Sequence, residues 1–473
     1  MLSQLWTTVV IALGLALSLA ASGHAVLHKR DVRAALGWVA FIWFVPFAGA
    51  AAYAVFGVNR IRRRAQALGL RQVRPRHDGG APVPALPPEA EHLRPLVNLA
   101  DAVVRRPLVD GNAFELLPGG AKAYPAMLAA IDEAQESVTF CTYIFDLGVV
   151  GDAFVEALAR ARERGVRVHV IVDAVGVRYR WPPIHRRLRK RGVRTVLFLP
   201  RLTPVWLPFV NLRNHRKILV VDGRLGFTGG MNVRDDFFAR AGAPPANVDL
   251  HVRVQGPVVA HLQQAFAEDW LFSTGEELEG HAYFPPLGAA GRVLARGIPD
   301  GPDEDFETIR WLLLGALASA RSRIRVVTPY FLPDPPLLTA LNVAAMRGVE
   351  VDIVLPARSN LPLVQWAQTA QLWQVLDRGC RVWLSPPPFD HSKAMTVDGA
   401  WALLGSANWD PRSLRLNFEL DVEAFGAEIA AAVDALVDER LAVARQVTLR
   451  EVDERPLPLR LRDGVVRLFS PYL

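Results

Sequence analysis

The chain has 473 residues, a net charge of +7 and two cysteines, Cys141 and Cys380. That length exceeds one ordinary domain, so two core-forming units are expected, and the cysteine count excludes a disulfide framework. A hydrophobic fraction of 51%, a mean hydropathy of +0.17 and a pI near 9.7 are high for a water-soluble chain and suit an anionic partner: a membrane surface, a phospholipid headgroup or nucleic acid.

Residues 5–21 form an apolar run without a charge, and residues 36–58 form a second, rich in aromatics such as Trp38, Phe41, Trp43 and Phe44. Each approaches the roughly 20 residues that span a bilayer as a helix. A cleaved signal peptide competes for the first run, but no basic stretch precedes it and the second run follows at once. Segment 1–64 therefore reads as a two-helix transmembrane hairpin, with helices at about 5–23 and 36–58. The connection holds Lys29, Arg30 and Arg33, whereas Arg60, Arg62, Arg63, Arg64, Arg71, Arg74 and Arg76 follow the second run. This bias predicts a cytoplasmic N-terminus, a cytoplasmic catalytic part and an arginine cluster against anionic headgroups.

Residues 65–95 are basic at first, then rich in Pro, Gly and Ala, and read as a linker. Beyond them the chain repeats itself. In the first unit, 96–290, helical patterns at 123–135, 153–164 and 184–191 precede strands at 137–145, 166–172 and 193–199. In the second, 291–473, helical patterns at 309–320, 337–347 and 366–378 precede strands at 324–331, 349–355 and 380–384. Gly165, Gly192, Gly348 and Gly379 stand at the helix–strand joints, as C-caps do. Alternating helix and buried strand predicts an α/β fold, with helices around mixed β-sheets and the two units in a pseudo-two-fold pair.

A last strand pattern carries the same residues in both units. His215, Lys217, Asp222, Gly229, Gly230 and Asn232 recur at identical spacing as His391, Lys393, Asp398, Gly405, Ser406 and Asn408. Alternate strand positions face one side, so each histidine shares a side with its lysine. The apolar run at 218–221 reads as a buried strand continuing into the core. Two lysines and two asparagine amides suit a phosphoryl group, whose charge spreads over several oxygens. Two histidines suit a two-step displacement, one attacking phosphorus and one protonating the leaving oxygen. Asp222 and Asp398 complete the motif, either in the chemistry or as acceptors fixing a turn. His169 and His251 read as structural, and His185 and His261 as surface residues. Both cysteines read as buried small hydrophobes.

The doubled motif resembles the phospholipase D superfamily and its HKD signature. The resemblance implies two repeated phospholipase D-like units, a phosphohistidine intermediate, His215 as nucleophile and His391 as general acid, an order the near-symmetric sequence leaves open to exchange. It implies that Lys217, Lys393, Asn232 and Asn408 hold the phosphate, that no metal or cofactor is needed, and that Glu419, with Asp249 as its counterpart, orients a histidine. The hairpin, the basic stretch at 60–64 and the segments Thr328-Pro329-Tyr330-Phe331 and Asn408-Trp409-Asp410-Pro411-Arg412-Ser413 resemble the bacterial cardiolipin synthase family. The implied activity is phosphatidyl transfer between two phosphatidylglycerols at the bacterial inner membrane. Alternatives are a membrane-bound phospholipase D hydrolase and a synthase drawing on phosphatidylethanolamine. A nuclease fits the pI but not the anchor, and a non-catalytic scaffold would not need both intact histidines and lysines. An apolar loop at 202–212, with Trp206 and Phe209, either admits acyl chains or lies in the core.

Overall fold

The structure is a computed structural model that describes residues 2–29, 32–57, 84–199, 212–239, 245–302 and 305–470. The Arg60–Arg76 cluster, most of the linker and nearly all of the apolar loop at 202–212 lie outside the described residues.

The N-terminal segment holds α1 (Leu2–His28), α2 (Val32–Phe44) and α3 (Pro46–Ala52). They pack on one another around Ala25, Ile42 and Tyr53. Within α1, residues Gln4–His28 are long and apolar enough to cross a membrane. The second apolar run differs from the single helix expected at 36–58. Val45 leaves the helical region (φ −136°, ψ 72°) and a new helix starts at Pro46. Proline has no N–H to donate and disfavours helical geometry in the residue before it, so the run divides there.

The body is built from two copies of one strand arrangement. The first copy has β1 (Val109–Pro118), β2 (Ser137–Thr142), β3 (Arg167–Asp173), β4 (Arg194–Phe198), β5 (Arg213–Asn214), β6 (Ile218–Val221), β7 (Leu225–Gly229) and β8 (Leu250–Gln255). The second has β9 (Val293–Asp300), β10 (Arg323–Val327), β11 (Glu350–Pro356), β12 (Arg381–Ser385), β13 (Ala394–Val397), β14 (Trp401–Gly405), β15 (Asn417–Phe425) and β16 (Arg445–Val447). The strand order β1-β8-β7-β6-β2-β3-β4 is repeated as β9-β15-β14-β13-β10-β11-β12, and β1 pairs antiparallel with β9 to join the copies. In each copy three strands run parallel, β2 with β3 and β4, and β10 with β11 and β12. The motif strands β6 and β13 run antiparallel to them. This is the mixed α/β fold with pseudo-two-fold repeats expected from the sequence.

Local sequence explains the elements. Every residue of β6 and β13 is buried, as strands covered on both faces require. Helices Gly120–Glu133 and Val149–Glu163 cover the first copy, and Thr308–Ser319 and Pro335–Met346 the second. At the joints Gly165, Gly192, Gly348 and Gly379 all take φ between +76° and +95°, the left-handed turn a side chain would resist. The helix expected at 366–378 is instead two pieces, Pro362–Thr369 and Trp373–Leu376. The break falls where the Gln371 side chain donates to the Pro333 carbonyl and Thr369 Oγ1 donates back to the Gln365 carbonyl, side-chain bonds that compete with helix continuation.

Asp222 and Asp398 sit at the far ends of β6 and β13. Asp222 accepts from the backbone N–H groups of Gln135, Glu136 and Ser137, which lead into β2. Asp398 accepts from those of Arg321, Ser322 and Arg323, which lead into β10, and from His92 Nε2 at 2.7 Å. Each carboxylate ties its strand to the neighbour. Hydrogen bonds of this kind contribute about 0.5–1.5 kcal/mol each, and each aspartate makes several. Asp398→Ala is therefore expected to lower unfolding free energy by about 2 kcal/mol or more, measured by urea titration in detergent, with Asp398→Asn falling between it and the native chain.

Candidate active site

The two motif histidines are placed by the opposite copy. Asn214 Oδ1 accepts from Arg216 N at 3.1 Å and Asp390 Oδ1 from Ser392 N at 2.9 Å, so each histidine is the central residue of the same tight turn. β5 then pairs in parallel with β15. His215 N donates to the Phe418 carbonyl at 2.8 Å, and His391 N donates to the Val248 carbonyl at 2.7 Å. Phe418 and Val248 each immediately precede a carboxylate, Glu419 and Asp249.

Those carboxylates meet the histidines across the copies. His215 Nδ1 lies 2.9 Å from Glu419 Oε2 and 3.0 Å from Oε1. His391 Nδ1 lies 2.8 Å from Asp249 Oδ2. All four side chains are buried. The sequence pointed to Glu419 and Asp249 but not to the exchange, in which Glu419 serves the first copy's histidine and Asp249 the second's. The surroundings of the two carboxylates differ. Glu419 also accepts from Ser406 Oγ at 2.6 Å and Asn417 Nδ2 at 3.1 Å, whereas Asp249 accepts from Leu250 N at 2.7 Å, and Gly230 stands where Ser406 does.

Burial and neighbouring charge set the protonation states. Burial alone would raise both carboxyls, but His215 and Lys217 hold Glu419 below its usual range, and His391 and Lys393 do the same for Asp249. Burial lowers the His391 imidazole to about 4, with Lys393 adding to the effect against Asp249, and it lowers His215 likewise. At neutral pH the carboxylates are ionised and the imidazoles neutral. With Nδ1–H donated to a carboxylate, each ring keeps its lone pair on Nε2. Burial also pushes Lys217 down to about 7 and Lys393 to about 8. Each ammonium donates to the carbonyl of its own motif histidine, Lys217 to His215 at 2.6 Å and Lys393 to His391. Lys393 acts electrostatically on His215, and Lys217 on His391, so the two half-sites share one field.

The asparagines are buried beside this centre. Asn232 Oδ1 accepts from Ile144 N at 3.1 Å, and Asn408 Nδ2 donates to Ser413 Oγ at 3.1 Å. Asn408 Oδ1 is buried with no partner among the described residues. The motif glycines answer to the adjoining strand. A Cβ at Gly405 would strike the Asp421 carboxylate, and one at Gly229 the Leu250 carbonyl. Asp421 Oδ1 accepts from Ser406 N and Ala407 N at 2.8 and 3.0 Å. His251, its positional match, accepts from Met231 N at 3.3 Å. His251 thus holds the glycine turn. His261, expected at the surface, is buried and accepts from Gly297 N at 3.2 Å. Both cysteines are buried and free. Asp222 and Asp398 are not brought to the centre, being five residues and roughly 15 Å along the strand from the lysines.

Aromatic rings wall the histidines. Tyr143 lies 5.2 Å from the His215 ring, and Tyr330, Phe389 and Phe237 lie 6.1, 5.8 and 6.1 Å from that of His391. Sequence reasoning marked the segment that carries Tyr330 but gave no role to these rings, Asn214, Asp390 or Asp421, because their roles depend on partners in other elements. No group of three His, Cys, Asp or Glu with metal-ligand geometry occurs among the described residues. The arrangement can present two nucleophilic or basic imidazole nitrogens and two ammonium groups to one oxyanion.

Comparison with known proteins gives the chain its relatives. The family described as "Cardiolipin synthase, PLD-like domain" matches residues 127–270 and 313–441, and "Phospholipase_D-nuclease N-terminal" matches residues 16–57. A cardiolipin synthase of Geobacillus kaustophilus is 32% identical, covering 94% of this chain and 90% of that protein. A cardiolipin synthase A of Pseudomonas putida is 32% identical, covering 97% of this chain and 96% of that protein. A solved phosphatidylserine synthase of Haemophilus influenzae shares the fold with a TM-score of 0.63 at 12% identity, covering 80% of this chain and all of its own.

The depressed lysines would make any oxyanion binding at this centre dependent on pH. An anion held by both ammonium groups would require each lysine, above its pKa, to take up a proton first. Tungstate affinity, read by calorimetry in detergent, is expected to fall roughly 10²–10³-fold from pH 7 to pH 9. Lys217→Met is expected to weaken binding and leave a shallower dependence, about tenfold over the same range, from Lys393 alone.

Proposed function

The chain belongs to the cardiolipin synthase family with its phospholipase D-like domain, and from that membership we propose that it joins two phosphatidylglycerols into cardiolipin and glycerol. The observation that carries the reading is the pair of crossed histidine–carboxylate contacts around two buried lysines. His215 Nε2 attacks the phosphorus of the first phosphatidylglycerol. The bond to the terminal glycerol oxygen breaks, His391 gives that oxygen a proton, and a phosphatidyl-histidine remains. The terminal hydroxyl of the second phosphatidylglycerol then loses its proton to His391 and attacks the same phosphorus, and the bond to His215 breaks. Lys217 and Lys393, with Asn232 and Asn408, balance charge on the phosphoryl oxygens. Glu419 and Asp249 fix the imidazole tautomers and stabilise each ring when it carries charge.

His391 is neutral in the empty site, so its acid role depends on substrate. A phosphodiester anion between the lysines offsets their field and favours the imidazolium. The chain is organised as an anchor at 1–64, a linker at 65–95 and units at 96–290 and 291–473. Its substrates are phospholipids. The arginine bias around the apolar runs supports a multi-pass protein of the inner membrane with a cytoplasmic catalytic part on an anionic surface.

Product analysis tests this. Purified protein given phosphatidylglycerol alone is expected to yield cardiolipin and glycerol by chromatography and mass spectrometry, and His215→Ala and His391→Ala are expected to abolish both. Phosphatidic acid instead would make the enzyme a hydrolase, and cardiolipin only after adding phosphatidylethanolamine would change the donor. Glu419→Gln and Asp249→Asn are each expected to lower kcat by about 10²–10⁴-fold with KM little changed, as loss of a tautomer-fixing carboxylate does.

A further inference from the structure

The helix Leu457–Arg467 turns its apolar side outward. Leu457, Leu461 and Val465 recur every fourth residue and Leu468 follows, so they line one helical face. They are between 56% and 74% exposed, and Phe469 beside them is exposed as well. A helix that only packed on a core would bury that stripe. This one is held firmly by its other side. Val466 packs on the cluster of Tyr330, Leu332, Val364 and Ala367, against which Phe389 also packs. Buried Asp463 accepts from Arg455 Nη1 and Arg462 Nε at 2.5 and 2.8 Å, and the Arg462 guanidinium sits 4.1 Å from the Trp366 ring centre. The neighbouring helix Pro362–Thr369 packs against it, and Leu361 and Leu363 there are exposed too.

Charge completes the pattern. Arg460, Arg462 and Arg467 stand in this helix against the single acid Asp463. Apolar side chains on one face with arginines at its borders match a phospholipid surface whose headgroups are anionic. The patch is also close to the site, because the cluster on which Val466 packs contains Tyr330, whose ring lies beside that of His391.

We propose that the helix Leu457–Arg467, with Leu361 and Leu363, is the surface by which the catalytic body seats itself on an anionic bilayer, so that lipid passes from the membrane to His391. The inference rests on the reading of the site as one that acts on phospholipid, and it adds where that lipid arrives.

The full chain is reconstituted into vesicles of phosphatidylglycerol and phosphatidylcholine with a fluorophore on Leu461→Cys, the native Cys141 and Cys380 being buried. The control is Met346→Cys, also exposed. Met346 precedes β11 whereas Tyr330 follows β10, and these strands run parallel, so the control lies at the opposite end of the sheet. Lipids carrying a quencher on the acyl chain are expected to quench the probe at 461 and not at 346. Absence of quenching at 461 overturns the proposal whether or not the protein is active. In the second arm, the Leu461→Asp/Val465→Asp double variant is expected to lose about tenfold or more of its activity on bilayer phosphatidylglycerol, the equivalent of one lost leucine anchor. Its activity on monomeric short-chain phosphatidylglycerol is expected to match the native chain. Equal activity of variant and native chain on bilayers overturns the docking role. A native oligomer that the double variant dissociates assigns the face to a second copy and overturns it as well. A native chain inactive on both lipid forms sinks the phospholipid reading and this proposal with it, an outcome the silent-probe result does not mimic.

Discussion

Neither copy can complete its own histidine. The imidazole of each motif depends on a carboxylate of the other copy, and the backbone N–H of each histidine bonds to the carbonyl just before that carboxylate. Separating the copies would strand two buried carboxylates and two buried rings, and removing one partner of a buried pair costs about 3–5 kcal/mol. The sheet order follows from this. β8 and β15 must both run close to the middle, so that Asp249 and Glu419 at their starts reach across, and the β1–β9 pairing that joins the copies puts them there. The pseudo-two-fold relation is thus a condition of the chemistry, because the centre exists only where the copies meet.

Electrostatics within that centre are arranged around a guest. The carboxylates are ionised, yet each is already engaged by an imidazole N–H. Among the described residues no carboxylate is in direct contact with either lysine: each donates to a backbone carbonyl, Glu419 and Asp249 act on them only through space, and burial pulls their pKa values toward neutrality. A buried ammonium without a counter-ion is costly. An anion set between the two lysines would relieve that cost, so the same burial that weakens the empty site would strengthen its hold on the phosphodiester proposed above.

Much of this could be read from the chain. The repeat, the helix–glycine–strand joints and the spacing of both motifs rest on local rules, and β6 and β13 formed where apolar runs predicted strands. Glu419 and Asp249 were visible as carboxylates downstream of the motifs. Their exchange between copies was not, because strand pairing between β5 and β15 leaves no periodic mark in either segment. His251 and Asp421 occupy matching places and accept the same backbone N–H, yet share no chemistry in sequence beyond an acceptor. Pro46 was in plain view inside the second apolar run, and its divided helix follows from a known rule that hydrophobicity alone masks. The long helix expected at 366–378 breaks where Gln371 bonds the distant Pro333 carbonyl, information that resides in tertiary packing. His261 looked like a surface residue because the polar residues beside it in sequence gave no sign that its ring packs on Gly297 of β9.

Ser406 stands opposite Gly230, and a hydroxyl bonds Glu419 where no counterpart bonds Asp249. Two identical chains meeting on a symmetry axis could not do this, since any hydroxyl given to one ring's support would be given to the other's. Duplication within one polypeptide removes that constraint. Each copy can change a single letter without forcing the same change on its twin, and two rings that began as equivalent can acquire separate tasks. The difference of one oxygen atom beside Glu419 is a place where the inherited symmetry has already been given up.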